Sequence, residues 1–154
     1  MTIREEAITV ELLNEMQPLF EAHREELTAF KDIELKVDKE RYVALYNAGA
    51  YHGYIVRGKD NNIIGYVGYV VASNLHYCDY VYASQDVLYV DPSRRGAIVG
   101  LRLLQHADAE LKKLGVDVVT QHAKIAHDFK PLMIRMGYDA VETIYMKRLS
   151  DETN

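Results

Sequence analysis

Residues 86–115 read DVLYVDPSRRGAIVGLRLLQHADAELKKLG. The run up to Val90 has the apolar, β-branched character of a strand. Pro92, Arg94, Arg95 and Gly96 interrupt it, and a helical pattern then takes over. Gly100, Leu101, Leu104, Ala107, Leu111 and Leu114 form one stripe, with Arg102, Gln105, Glu110 and Lys112 facing away. Gly115, just past two lysines that suit a helix C-terminus, supplies the stop. Two positive charges and a glycine thus collect at a helix start, where the first N–H groups have no intrahelical partner. An anion fits such a junction. An ordinary strand-to-helix turn would look the same locally, so the flanking sequence has to decide.

Working toward the N-terminus, a long strand is expected over 79–90, preceded by the connection SNLHYCD. Strands over 50–57 and 62–73 are joined by GKDNN, a good hairpin turn. Before them, DKERYVALYNAG reads as a short helix opened by Asp38. From Val10 the spacing of Leu12, Leu13, Met16, Leu19, Phe20, His23 and Leu27 predicts a longer helix. Pro18 should kink or divide that helix. MTIREEAI can form an edge strand. Toward the C-terminus, 116–122 reads as a buried strand and HDFKPLMIRMG as a helix capped by Asp128 and ended by Gly137. YDAVETIYMKRL is expected to be a final strand or hairpin. The order β-α-α-β-β-β-α-β-α-β implies an α/β fold. Its sheet is mixed and mostly antiparallel, with one parallel βαβ step and helices on both faces.

Length and composition are consistent with that reading. The 154 residues suit one domain, expected over 1–150 with a loose tail over 151–154. A formal charge of -5 argues against general nucleic-acid binding. Cys78 is the only cysteine, so no internal disulfide can form, as suits a reducing cytoplasm. Neither a leader nor a membrane-spanning run is visible. With neither HExxH nor CxxC present, no metal is expected. The 12 tyrosines fall largely in the strand runs, where half-buried rings pack with their hydroxyls toward polar partners. A tyrosine-rich sheet of this kind also allows association into a homodimer. A P-loop would need Gly-Lys-Ser/Thr after its glycines, and a Rossmann fingerprint should lie after the first strand; neither pattern is met.

Strand, Pro-containing loop, Arg95-Gly96, Gly100 and the apolar pair Leu103-Leu104 resemble the hallmark of the GNAT-type N-acetyltransferases. In these, Arg-Gly-x-Gly-x-Gly opens a helix after a strand. Ile98 replaces the middle glycine. PLMIRMGYDAV, with Gly137-Tyr138, is similar to the family's LYEKLGF step. HREE at 23–26 and LHY at 75–77 resemble small acetyltransferase-like proteins of bacteriophage and prophage genomes. The resemblance implies a GNAT-like acyl-CoA N-acyltransferase fold. It also implies transfer of an acetyl group from acetyl-CoA to a primary amine.

On this resemblance the amides of Gly96, Ala97, Ile98, Val99 and Gly100 would hold the diphosphate, with Arg94 and Arg95 adding charge. Leu88, Tyr89 and Val90 would offer main-chain groups to the pantetheine. Ile98 is tolerated if its side chain turns to the core. Asp86 is expected on the face of Leu88 and Val90 by period two, as base; a structural bond to a tyrosine or to backbone is its other reading. Met133 stands where many members carry a tyrosine acid, and it cannot donate a proton. Ala126 or His127 falls where an asparagine is usual. His122 is a candidate acid in its place, with His127 and Tyr138 as further substitutes. His23, Glu25, Glu26, His76 and Tyr77 are candidates for attracting the amine. The losses at 98 and 133 keep open a binding or regulatory module with little catalysis.

Overall fold

The computed structural model describes residues 1–95, 97–125 and 127–150, with the side chain of Ala97 left aside. The expected tail over 151–154 lies outside the described residues. The elements are β1 (Thr2–Glu5), α1 (Val10–Leu27), α2 (Lys39–Asn47), β2 (Tyr51–Arg57), β3 (Ile63–Ser73) and β4 (Val81–Val90). A 3-10 turn (Pro92–Arg94) follows, then α3 (Ala97–Lys113), β5 (Val118–Thr120) and α4 (Lys130–Arg135). The strands lie side by side in chain order, antiparallel except for the parallel β4–β5 pair. This is the mixed sheet expected from the order of elements.

Alternation along the strands divides the interior in two. Tyr54, Val56, Tyr69 and Ala83 pack with Leu103, Leu104, Ala107 and Leu111 of α3 and Met133 of α4. Tyr51, Ile55, Tyr66 and Tyr89 pack on the other face with Ile8 and with Leu12, Leu13 and Met16 of α1. Helices therefore cover both faces. The buried stripe of α3 runs through Leu103, Leu104, Ala107 and Leu111, while Leu114 is exposed. Burying each such leucine contributes about 1.5–3 kcal/mol. Arg57, itself buried at the end of β2, ties the sheet to α1 and to the residue after β1. Its guanidinium bonds both oxygens of Glu6 at 2.7 and 2.8 Å and both oxygens of Glu15 at 2.7 and 3.0 Å.

Local chemistry sets the helix ends. Thr9 accepts from the Leu12 amide and Asp38 from the Arg41 amide, each cap contributing about 1 kcal/mol. Gly115 and Gly137 close α3 and α4 at φ of +85° and +86°, where only glycine is unstrained.

Four expectations need correction. α1 runs unbroken through Pro18, because proline and Asn14, whose carbonyl loses its partner, are both exposed to water. β5 covers only three residues and is half-buried, because β4 and β5 part after Ser84. Asp128 accepts the Lys130 amide at 2.8 Å, but Phe129 occupies the cap position of α4. Residues 138–149 form no strand, since no neighbouring strand meets their backbone. Among the described residues, no helix is long and apolar enough to cross a membrane.

Candidate active site

The parting of β4 from β5 creates the site. Only Tyr82, Ala83 and Ser84 of β4 pair with β5. At the split, the buried Gln85 accepts the His122 amide on Oε1 at 2.9 Å, so a side chain replaces the next rung of the ladder. Beyond it opens a cleft of about 640 Å³ between β4, α1, α3 and the segment after β5. Its volume lies within the range of small-molecule sites.

One wall is the unpaired edge of β4. The Asp91 amide donates to Ile64 O at 2.9 Å, so position 91 faces β3. By alternation Tyr89 does the same, while Leu88 and Val90 turn their main-chain groups to the open cleft. Of the three residues expected to offer such groups, Tyr89 is therefore already committed to the sheet. The Val90 carbonyl accepts from Arg95 Nε at 2.7 Å, which leaves Leu88 as the unencumbered position.

Asp86 is the extra residue of a β-bulge. Gly68 pairs with Val87 and Tyr69 with Gln85, leaving 86 without a partner on β3. The bulge breaks the period-two phase, so Asp86 does not share a face with Leu88 and Val90. Its Oδ2 instead accepts from Tyr42 at 2.6 Å and Tyr51 at 3.0 Å, on the α1 side of the sheet. Burial first, and then the Asp86 carboxylate, push the Tyr42 phenol well above its ordinary range against the bond to Tyr51; burial, then Tyr42 and Asp86, push Tyr51 up likewise. Both remain donors. Gly68 makes room for this arrangement, since a Cβ there would sit 1.9 Å from the Tyr51 hydroxyl.

Beside Asp86 in the cleft wall lies His23 of α1. Its ring stacks on Tyr89 with centroids 5.1 Å apart, and Nδ1 lies 2.9 Å from the Tyr66 hydroxyl. Burial is the main force lowering its pKa; Lys124 and Arg95 act in the same direction, against the pull of Glu26. His23 is thus held neutral and able to accept a proton. It is one of the side chains the sequence offered for attracting the amine, and it stands in the cleft wall.

Arg95 and Glu26, expected to serve different ligands, face one another. Arg95 Nη1 donates to Glu26 Oε1 at 2.5 Å and Nη2 to Oε2 at 2.6 Å. The Arg95 guanidinium also lies 5.3 Å from the Tyr89 ring centroid. This pairing lowers the Glu26 pKa. Arg94 belongs to the 3-10 turn and does not line the cleft.

The start of α3 borders the same cleft. Gly96 and the Ala97 side chain lie outside what is described. Among the described residues, no acceptor meets the Ile98 or Val99 amide. The Ile98 side chain is 56% exposed, so it does not turn to the core, the condition under which the sequence tolerated it, and it does not line the cleft. Gly100 lines the cleft, and a Cβ there would meet nothing within 4 Å. Amides with no acceptor among the described residues, beside a glycine with open space above it, fit the diphosphate of a CoA ester.

Other candidates scatter. His122 and His127 line the cleft, and His127 Nδ1 lies 3.9 Å from Glu26. His76 and Tyr77 belong to the β3–β4 loop, where Asn74 Oδ1 accepts both amides; they do not line the cleft. Glu25 pairs with Arg24 at 2.8 Å and is exposed. Met133 is buried in the core. Tyr138 donates to Asp108 at 2.6 Å and lies outside the cleft lining. Ala126 is not described. Sequence reasoning missed Gln85, Lys124, Phe129 and Leu132, because nothing local distinguishes them. Among the described residues, no three His, Cys, Asp or Glu side chains are grouped to hold a metal ion.

Comparison with known proteins agrees with this geometry. The chain is similar to an aminoglycoside acetyltransferase from an uncultured soil metagenomic sample, crystallised with sisomicin. The identity is 19%, 97% of this chain and 95% of that one are covered, and the TM-score is 0.73. It is similar to ribosomal-protein-alanine N-acetyltransferase from Brucella melitensis at 15% identity, covering 97% and 100%, with a TM-score of 0.71. A predicted acetyltransferase from Clostridium acetobutylicum, crystallised with acetyl-CoA, matches at 13% identity over 96% of each chain, with a TM-score of 0.66. These identities speak for the fold alone. No curated protein matches. The family model for the acetyltransferase (GNAT) family matches residues 11–129, across α1, the bulged β4 and the α3 start, and the chain belongs to that family.

Proposed function

We propose that the protein is a cytoplasmic N-acetyltransferase that passes an acetyl group from acetyl-CoA directly to a primary amine. The observation that carries this reading is the cleft itself. One wall offers the Leu88 main chain and the free amides at the α3 start. Asp86 and His23 stand on the other.

Bound acetyl-CoA would supply an acetyl group already activated as a thioester. The amides of Ile98 and Val99 would face its diphosphate, and the Leu88 main chain its pantetheine amides. Asp86, fixed by Tyr42 and Tyr51, is the anionic end of the cleft. It would draw the amine in as a cation and take one proton, freeing the nitrogen lone pair to attack the thioester carbonyl. Neutral His23 would accept the second proton, lost from nitrogen as the N–C bond forms and the C–S bond breaks, where the acceptor reaches α1. His122, two residues past β5 and in the cleft lining, would give a proton to the departing thiolate. Glu26 joins the acceptor wall once Arg95 turns away from it. The solved relatives named above include one bound to an aminoglycoside and one named for a protein alanine. Both acceptors are amines, the class proposed here.

Calorimetry with acetyl-CoA, followed by thiol release over an amine panel, tests this. Asp86→Asn should bind acetyl-CoA normally and lose turnover by roughly a hundredfold or more. A cleft that fails to bind acetyl-CoA would overturn the reading. The burial of Met133 favours a second reading, a binding module, and normal acetyl-CoA binding without turnover on any amine would establish it.

A further inference from the structure

Gln85, at the split between β4 and β5, carries a donor with no acceptor among the described residues. The His122 backbone N–H can be met only by an acceptor. The Gln85 atom 2.9 Å from it is therefore the amide oxygen, and the side chain has one orientation. What remains is Nε2 with its two N–H groups, and neither is bonded within the described chain. Gln85 is only 7% exposed and lines the cleft, so the little surface it shows opens there. A polar group this buried ordinarily has a partner, and here the place for one is the cleft.

Position along β4 says what that partner is. This step rests on the acetyl-transfer reading, in which the diphosphate meets the amides at 98 and 99 and the pantetheine meets the Leu88 main chain. Continuing back along β4 in the same direction leads to Asp86 and then to Gln85, where the pairing with β5 begins. The thioester end would thus arrive beside these two side chains. Asp86 is an acceptor and suits the amine; the Gln85 amide nitrogen is a neutral donor and suits a carbonyl oxygen.

We propose that Gln85 is a catalytic residue whose Nε2–H donates to the thioester carbonyl oxygen. The amine, having given one proton to Asp86, bonds to the carbonyl carbon, and the C=O electron pair moves onto that oxygen. The Gln85 donor stabilises the charge that develops there. As the pair returns, the C–S bond breaks and the sulfur leaves with its electrons. It takes a proton from His122, while nitrogen gives its second proton to His23. Gln85 needs no reorganisation to act, because Oε1 is already anchored on the His122 amide. The same anchor fixes the backbone that carries the thiolate's proton donor.

Proton–nitrogen correlation spectra of the side-chain amides test this. In the wild type, acetyl-CoA should move a Gln85 amide proton downfield. The S-ethyl thioether of CoA, which lacks the carbonyl, should leave it in place. Gln85→Met is similar in size but has no N–H. It should bind acetyl-CoA within about fivefold of the wild type by calorimetry and lower kcat roughly a hundredfold on an amine the wild type acetylates. The spectra are read on the wild-type chain and need no acceptor, so they decide even if Gln85→Met does not fold. A Gln85 amide proton that answers equally to both ligands, or to neither, would overturn the proposal, as would an unchanged kcat in Gln85→Met. A wild-type chain that does not bind acetyl-CoA would overturn the acetyl-transfer reading and this proposal with it.

Discussion

Arg95 and Glu26 meet end-on in the wall of the cleft, joining the segment before α3 to α1. A diphosphate arriving at the α3 amides would compete with Glu26 for the same guanidinium. Because both side chains are partly exposed, the pair stabilises by only about 0.2–1 kcal/mol. Glu26→Gln should therefore tighten acetyl-CoA binding about two- to fivefold by calorimetry. An unchanged or weaker affinity would show that Arg95 is not a ligand of the diphosphate.

Gly100 separates stability from binding. Its site has open space for a Cβ, and a helix interior favours alanine over glycine by about 1 kcal/mol. Gly100→Ala should therefore raise the midpoint of urea unfolding. The added methyl would stand in the space assigned to the cofactor, and acetyl-CoA affinity should fall by roughly tenfold. Raised stability with intact affinity would place the cofactor elsewhere.

His23 should make stability depend on pH. Burial lowers its pKa from 6.5 in the folded state, so between 6.5 and the folded value the unfolded chain binds more protons. This contribution is fully present above 6.5 and is lost as pH falls through the folded pKa. The slope can reach at most about 1.4 kcal/mol per pH unit for one proton. Urea unfolding on either side of 6.5 should show it in the wild type, with a smaller slope in His23→Gln. Equal slopes would mean that the ring is not held neutral.

Gly68→Ala should destabilise the fold and disturb the site together. The new methyl would overlap the Tyr51 hydroxyl at 1.9 Å and ring carbon Cζ at 2.7 Å, and Tyr51 is only 4% exposed. Overpacking of this kind costs about 1–3 kcal/mol. Adding Tyr51→Phe removes the nearer clash and should recover part of the loss in thermal unfolding. It should not restore turnover, because Asp86 would still lack one of its two donors.

The legible parts were those governed by neighbours in sequence. Leu104, Ala107 and Leu111 of the α3 stripe, its glycine stop and the cap at Asp38 follow from spacing and residue type, and the structure keeps them. The face of Asp86 was not legible, because period two assumes an unbroken ladder. The bulge opposite Gly68 and Tyr69 exists only where β3 and β4 meet. For the same reason the distance between Arg95 and Glu26, 69 positions apart, could not be read from either segment.

By itself the sequence determined the order of elements as far as α4, the resemblance to the family and the place of the motif at the α3 start. These rest on short-range preferences of backbone and side chain. Tertiary structure alone decided where β4 and β5 part, which carboxylate is held by tyrosines and which by arginine, and that 138–149 joins no strand of the sheet among the described residues. Each of those outcomes depends on long-range contacts, whose hydrogen bonds and close packing form only when distant residues are brought together.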